Sequence, residues 1–283
     1  MVRVSSWRKY GWLRHAFSRR DGGISTVYSP VGGAGELNLG WTKEDDPALV
    51  RENRRRFIGD VAGAFDGDGG WPLVTVRQVH SDAIRVVRLG DGAFEGALET
   101  EEGKAILVGD GLITNVPGLL VGVQTADCVP VMVVDVVQRA VGVFHAGWRG
   151  TVAGIVEKGI ATMQEEYGSL PENLAATVGP SIGSCCYSVG EDVKASFMTK
   201  FEYGANLFRE VDGAVRLDLW ESNRRQLMAA GVSAHNIVVM GECTGCSVSA
   251  SGGLRYFSHR IEGGVAGRML SVVGIATPDV EVA

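Results

Sequence analysis

The chain has 283 residues, 45% of them hydrophobic, enough to bury a sizeable core in one large domain or two small ones. Its 27 basic and 33 acidic residues leave a formal net charge of -6, which argues against a general nucleic-acid binder. No apolar run reaches the roughly 18 residues of a membrane span; the longest, 118–137, is broken by Gln124, Asp127, Pro130 and Asp135.

The opening stretch, MVRVSSWRKYGWLRHAF, scatters charges and tryptophans where a secretory signal would have an apolar run, so a cytoplasmic protein is expected. Arg19-Arg20 and Arg54-Arg55-Arg56 read as solvated faces. A helix is expected over 47–57, with Pro47 in its first turn after Asp46. Residues 59–70 and 90–103, rich in Gly with Asp or Glu, read as loops. Runs of Val and Ile predict strands over 73–79, 83–89, 119–123, 129–137 and 140–144. The run 129–137 is apolar on both faces, as in a buried central strand. A helix over 151–167 puts Val152, Ile155, Val156, Ile160, Met163 and Tyr167 on one face. Beyond it come a strand over 175–178, a helix over 191–201, a helix over 217–230 that stops at Gly231, and a strand over 237–240. Strands and helices do not alternate strictly. The expected fold class is therefore α+β, a single-domain layered sandwich of mixed β-sheet flanked by helices and covering 1–283.

Three segments share one pattern, an apolar strand ending in an abrupt polar tip: VTVRQVHSD (74–82), LLVGVQTADCVP (119–130) and AVGVFHAGWRG (140–150). Strand ends are rigid mounts for ligands, and these tips offer His80, Cys128 and His145. Thiolate and imidazole suit zinc, and three protein ligands leave a fourth position for water or substrate. Such a zinc lowers the pKa of bound water to about 7. The spacing alone leaves a second reading open, in which each histidine caps a strand end and Cys128 packs as a small hydrophobe. His145-Ala-Gly-Trp-Arg149-Gly-Thr151 passes from a strand into the helix expected from Thr151. Free N–H groups at a helix start attract anions, and Arg149 could add a bidentate phosphate contact.

The five cysteines, odd in number and unevenly spaced, do not read as a disulfide framework. Cys243-Thr-Gly-Cys246 has no second CxxC or histidine pair to complete a zinc site, so plain packing is expected there and at Cys185-Cys186. His15 and His259 read as satisfied surface histidines with pocket lining as the alternative, and His235 as solvent-facing.

At these residues the sequence resembles the laccase-domain family, whose members have been called multicopper polyphenol oxidases, purine nucleoside phosphorylases and peptidoglycan editing factors. The matching pieces run in family order across nearly the whole chain, and include HAFSRRDGGIS (15–25), RQVHSD (77–82), GDGLITN (109–115), VQTADCVPVMVVD (123–135), GVFHAGWRGTVAGIVEKGI (142–160), VGPSIGSCCYSVGEDV (178–193) and FSHRIEGGVAGRM (257–269). The resemblance implies that His80, Cys128 and His145 are metal ligands in a cleft of a layered α/β fold. It also implies phosphorolysis of adenosine, inosine or guanosine, some cleavage of methylthioadenosine, and deamination of adenosine. The expected partners are thus a small-molecule nucleoside and phosphate, with neither nucleic acid nor membrane. Ser18-Arg19-Arg20 stands where Ser-Thr-Arg is more usual, and residues 28–33 lengthen the loop before LNLG.

Copper is the alternative to zinc, since two His and one Cys also describe a blue-copper site. A multicopper oxidoreductase needs more than the five histidines present. A metal-free cysteine hydrolase would use Cys128 as nucleophile and His145 as base, chemistry suited to peptidoglycan editing. A non-catalytic binding module keeping a vestigial site is the third rival. The zinc deaminase signature, HxE then PCxxC, is absent. Asp82 and Asp127 are candidates for a general acid by proximity.

Overall fold

A computed structural model describes residues 1–29, 32–63, 70–250 and 252–277. Its elements run in the order β1 (Leu13–Phe17), β2 (Asp21–Ser25), α1 (Pro47–Ala62), β3 (Leu73–Thr75), β4 (Ile84–Val87), β5 (Gly111–Thr114), β6 (Leu120–Thr125), β7 (Val129–Asp135), β8 (Ala140–Ala146), α2 (Trp148–Ala153), α3 (Ile155–Tyr167), β9 (Leu174–Val178), α4 (Glu191–Lys200), β10 (Phe208–Val211), β11 (Ala214–Leu217), α5 (Leu219–Ala229), β12 (Ile237–Val239) and β13 (Met269–Ile275).

The period-2 alternation of β7 sets the architecture. Val129, Val131 and Val133 face one core, and Met132 and Val134 face another. The first core lies between a six-stranded sheet, order β12-β9-β7-β8-β5-β4, and the helices that supply Ile155, Val156, Ile160, Met163 and Leu227. The second lies between that sheet and a four-stranded one, order β1-β13-β6-β3, which contributes Val74, Val121, Val123 and Val273. The outer face of the smaller sheet buries Leu120, Leu270 and Val272 against Phe57 and Val61 of α1. The result is the expected α+β layered sandwich, four layers deep, with both sheets mixed in strand direction. A β10-β11 hairpin stands apart from them. No helix among the described residues is long and apolar enough to cross a membrane.

Two helices depart from expectation in ways that bear on the site. The helix expected from Thr151 begins at Trp148 with Gly147 as its N-cap, and Thr151 donates its N–H to the Gly147 carbonyl. Gly154, at φ 84° in the left-handed region, ends α2 and starts α3, so one expected helix is two. Helix α1 runs past the expected 57 to Ala62, so the loop expected over 59–70 begins only at Gly63, and its residues 64–69 lie outside the described ones. In the expected solvated run 54–56, Arg55 and Arg56 pair with Glu52, but Arg54 is buried and donates to the Leu39 carbonyl.

Candidate metal centre

The topology brings the three polar tips together. His80 follows β3, Cys128 lies in the crossing from β6 to β7 and so between the two sheets, and His145 sits on β8. One ligand atom from each lies within 4.8 Å of the others. Gly147 leaves the room they need: a Cβ there would stand 3.0 Å from the Cys128 Sγ and 3.2 Å from the His80 ring. Reciprocal hydrogen bonds between Gln78 and the backbone of Gln124 (2.8 and 2.7 Å) staple the His80 segment to β6.

Asp110, wholly buried just before β5, organises the centre, and nothing in the sequence reading singled it out. Its Oδ1 lies 2.9 Å from His145 Nδ1, which leaves Nε2 as the ring nitrogen free to bind a metal. The same carboxylate accepts N–H bonds from Val79, His80 and Ser81 and the Ser81 hydroxyl bond. These bonds hold His80 at φ 60°, a strained backbone for a non-glycine residue. Burial alone would raise the Asp110 carboxyl, but hydrogen bonds from His145 and Ser81 hold it well below the usual carboxylate range. Burial would also raise the Cys128 thiol, yet the His145 charge and hydrogen bonds from His145 and His80 bring it down to about 6. Burial would lower His145, and the Cys128 thiolate with Asp110 instead raises it to about 9. Without a metal the centre therefore favours a thiolate–imidazolium pair at neutral pH. A soft-to-borderline cation such as zinc fits the same two imidazoles and thiolate, with a carboxylate behind one ring, and a fourth position is left open.

That open side faces a cavity of about 600 Å³, the size of a small-molecule site. Its wall carries Trp41, Tyr187 and His259 together with the cations Arg77, Lys104, Arg260 and Arg268. Arg149, expected at a phosphate, is exposed, stacks over Trp148 at 4.4 Å, and is not among the lining residues. Both acids considered for proton donation already have partners. Asp82 pairs with Lys158 on the surface. Asp127, at φ 91°, accepts from the Thr244 and Ser258 hydroxyls and the Arg260 N–H. It fixes the loops around the cavity. His15 is buried rather than at the surface, and His235 is exposed as expected. The only other group of potential metal ligands among the described residues contains four cysteines and no histidine.

The family model for multi-copper polyphenol oxidoreductase laccase matches residues 14–276, nearly all of the chain. The chain belongs to this family. Among its relatives, purine nucleoside phosphorylase YlmD of Geobacillus stearothermophilus is 35% identical, covering 93% of this chain and 94% of that one. Adenosine deaminase RL5, from an unknown prokaryotic organism, is 38% identical over 69% of this chain and 72% of its own. The crystal structure of Bacillus licheniformis hypothetical protein YfiH superposes with a TM-score of 0.81 at 33% identity, covering 96% of this laccase-family chain and 94% of that one.

Proposed function

We propose that residues 1–283 act as one zinc-dependent purine nucleoside phosphorylase domain that also deaminates adenosine. The carrying observation is the open His80, Cys128 and His145 group on the wall of a nucleoside-sized cavity that also holds four cations. Relatives named for phosphorolysis and for adenosine deamination support it. Zinc held by the three residues would supply a Lewis acid in the cleft. In phosphorolysis the phosphate attacks the anomeric carbon, the C–N bond breaks, and the purine leaves with the bonding electrons. The chain's own part is to hold phosphate and nucleoside in line and to screen the phosphate charge.

Arg260 is the better-placed phosphate partner. It lines the cavity, its N–H is held by Asp127, and its guanidinium donates to the Ser188 carbonyl and lies over Tyr187. Arg149 is exposed, stacked over Trp148 and not among the residues that line the cavity. Arg260→Ala should raise the KM for phosphate about tenfold or more, as loss of a charged hydrogen bond does, and Arg149→Ala should leave it nearly unchanged. The reverse result would return the phosphate to α2. For the whole reading, protein purified without added metal is compared with Cys128→Ala. The variant should carry one zinc fewer per chain and lose phosphate-dependent release of adenine from adenosine. Undiminished turnover in the variant refutes the proposal.

One observation favours a second reading. Cys128, His145 and Asp110 also form a nucleophile, base and orienting acid, as in a metal-free cysteine hydrolase. Protein without zinc, inactivated by alkylation at Cys128 and inert toward nucleosides, would establish that chemistry instead.

A further inference from the structure

Two turns distant in sequence bring four thiols together. Cys185 and Cys186 lie in a turn closed by N–H bonds from Cys186 and Tyr187 to the Gly183 carbonyl. Cys243 and Cys246 lie in a second turn, closed by N–H bonds from Cys246 and Ser247 to the Cys243 carbonyl. The segments entering the turns are bridged, with Thr244 N–H on the Ser181 carbonyl and Ser181 N–H on the Glu242 carbonyl. All four Sγ atoms fall within 4.8 Å of one another, and Cys185 and Cys246 are 3.6 Å apart.

Packing does not account for this arrangement. Two of the four side chains are exposed, so their sulfurs converge without the burial that makes cysteine a hydrophobe. All are free thiols. Four thiolates around one zinc, each about 2.3 Å from it in a tetrahedron, stand roughly 3.8 Å apart. The observed spacing fits one ion of that kind and leaves no room for a multi-iron cluster. The surroundings suit an anionic site. Gly183 gives its N–H to the Cys243 Sγ at 3.2 Å. Arg216 bonds the Cys185 carbonyl at 3.1 Å, and its buried Nε has no hydrogen-bond partner. Close approach needs glycine at 245, where a Cβ would stand 2.9 Å from that of Cys186.

We infer that Cys185, Cys186, Cys243 and Cys246 form a second metal site, a closed tetrathiolate that binds one divalent zinc-class cation. Binding releases the four thiol protons and leaves a complex of net charge about -2, beside the Arg216 guanidinium. With every coordination position filled by protein, the site is structural. It ties the turn before Tyr187 to the turn whose Thr244 bonds Asp127, the neighbour of Cys128, and so braces one wall of the cavity.

The test uses the full chain with Cys128→Ala, reduced, stripped of metal and titrated anaerobically with cobalt(II) alone. One cobalt per chain should bind with the intense visible and near-ultraviolet bands of a four-thiolate tetrahedron, and zinc should bleach them. Adding Cys185→Ser or Cys246→Ser, both at exposed positions that the fold tolerates, should abolish those bands and lower the Tm of the zinc-treated protein. Circular dichroism matching the parent would show that these variants fold. Cobalt bands absent from the parent, or unchanged in the serine variants, overturn the inference. So does a Cys185–Cys246 disulfide in the purified protein whose reduced form takes up no metal. Because Cys128 is already removed, the outcome is independent of nucleoside turnover.

Discussion

Asp110 shows how much of this centre depends on one buried side chain. It sets the His145 ring and the strained His80 backbone at once. Asp110→Asn keeps the shape but gives up the charge, and partners of this kind are worth about 10–100-fold in metal affinity. Zinc affinity measured by chelator competition should fall by that factor, and an unchanged affinity would show that the ring needs no anchor. His15 makes the opposite case, a histidine kept neutral by the fold. It is 6% exposed, accepts the Val4 N–H at Nε2, and packs edge-on against Trp7. Burial, aided by the nearby Arg3 charge, lowers its pKa to about 4. In the unfolded chain it takes up a proton below about pH 6.5, so folding stability is full above that pH and declines as pH falls toward 4. The loss attributable to His15 approaches about 3 kcal/mol at the acid end. His15→Gln keeps an acceptor and cannot be charged. Its urea midpoint should fall less between about pH 7 and pH 5 than that of the parent, and parallel declines would assign the acid sensitivity elsewhere.

At the scale of elements, legibility followed burial on both faces. β7 and β8 were evident as continuous apolar runs because each strand has a core above and below it. β13 is equally buried but was passed over, since Ser271 and Gly274 interrupt Met269–Ile275 and its partners β1 and β6 are far away in the chain. β1, β2 and β5 are short or polar and take their strand character from tertiary pairing. The same distance hid Asp110, which in a Gly-Asp-Gly run reads as a turn until His145 is folded against it. It also hid the four-cysteine cluster, whose two halves are each unremarkable. Helix α3 gives a packing test. Gly159 faces the ring of Phe144 so closely that an added Cβ overlaps it, and Phe144 is fully buried. Alanine gains about 1 kcal/mol in intrinsic helix propensity, but overpacking a closed core costs typically about 1–3 kcal/mol. Gly159→Ala should therefore lose on the order of 1 kcal/mol by urea denaturation. A gain would mean that the β8 face yields to accommodate the methyl group.

For the whole molecule, the consequence of the metal centre is mechanical as well as chemical. His80 and Cys128 lie in segments that cross from the smaller sheet to the larger, β3 to β4 and β6 to β7, and His145 belongs to the larger sheet. A cation on all three therefore ties both crossings to the larger sheet at one end, beside the Asp110 hub that joins the His80 segment to β8. An ion that binds only the folded state stabilises it by an amount set by its concentration relative to Kd, about 2.7 kcal/mol at roughly 100 times Kd. In a chain of 283 residues that corresponds to a Tm rise on the order of 5 °C. The measurement is cleanest where Cys185 and Cys246 are already serine, so that only the sheet-bridging centre responds. Zinc added to this chelator-stripped protein should raise the Tm by that amount. With Cys128→Ala added, the shift should disappear, because the two histidines left behind have lost the thiolate that completes the site. A shift that survives the loss of Cys128 would place the stabilising ion elsewhere, and the three tips would then be a catalytic group that contributes nothing to holding the sandwich closed.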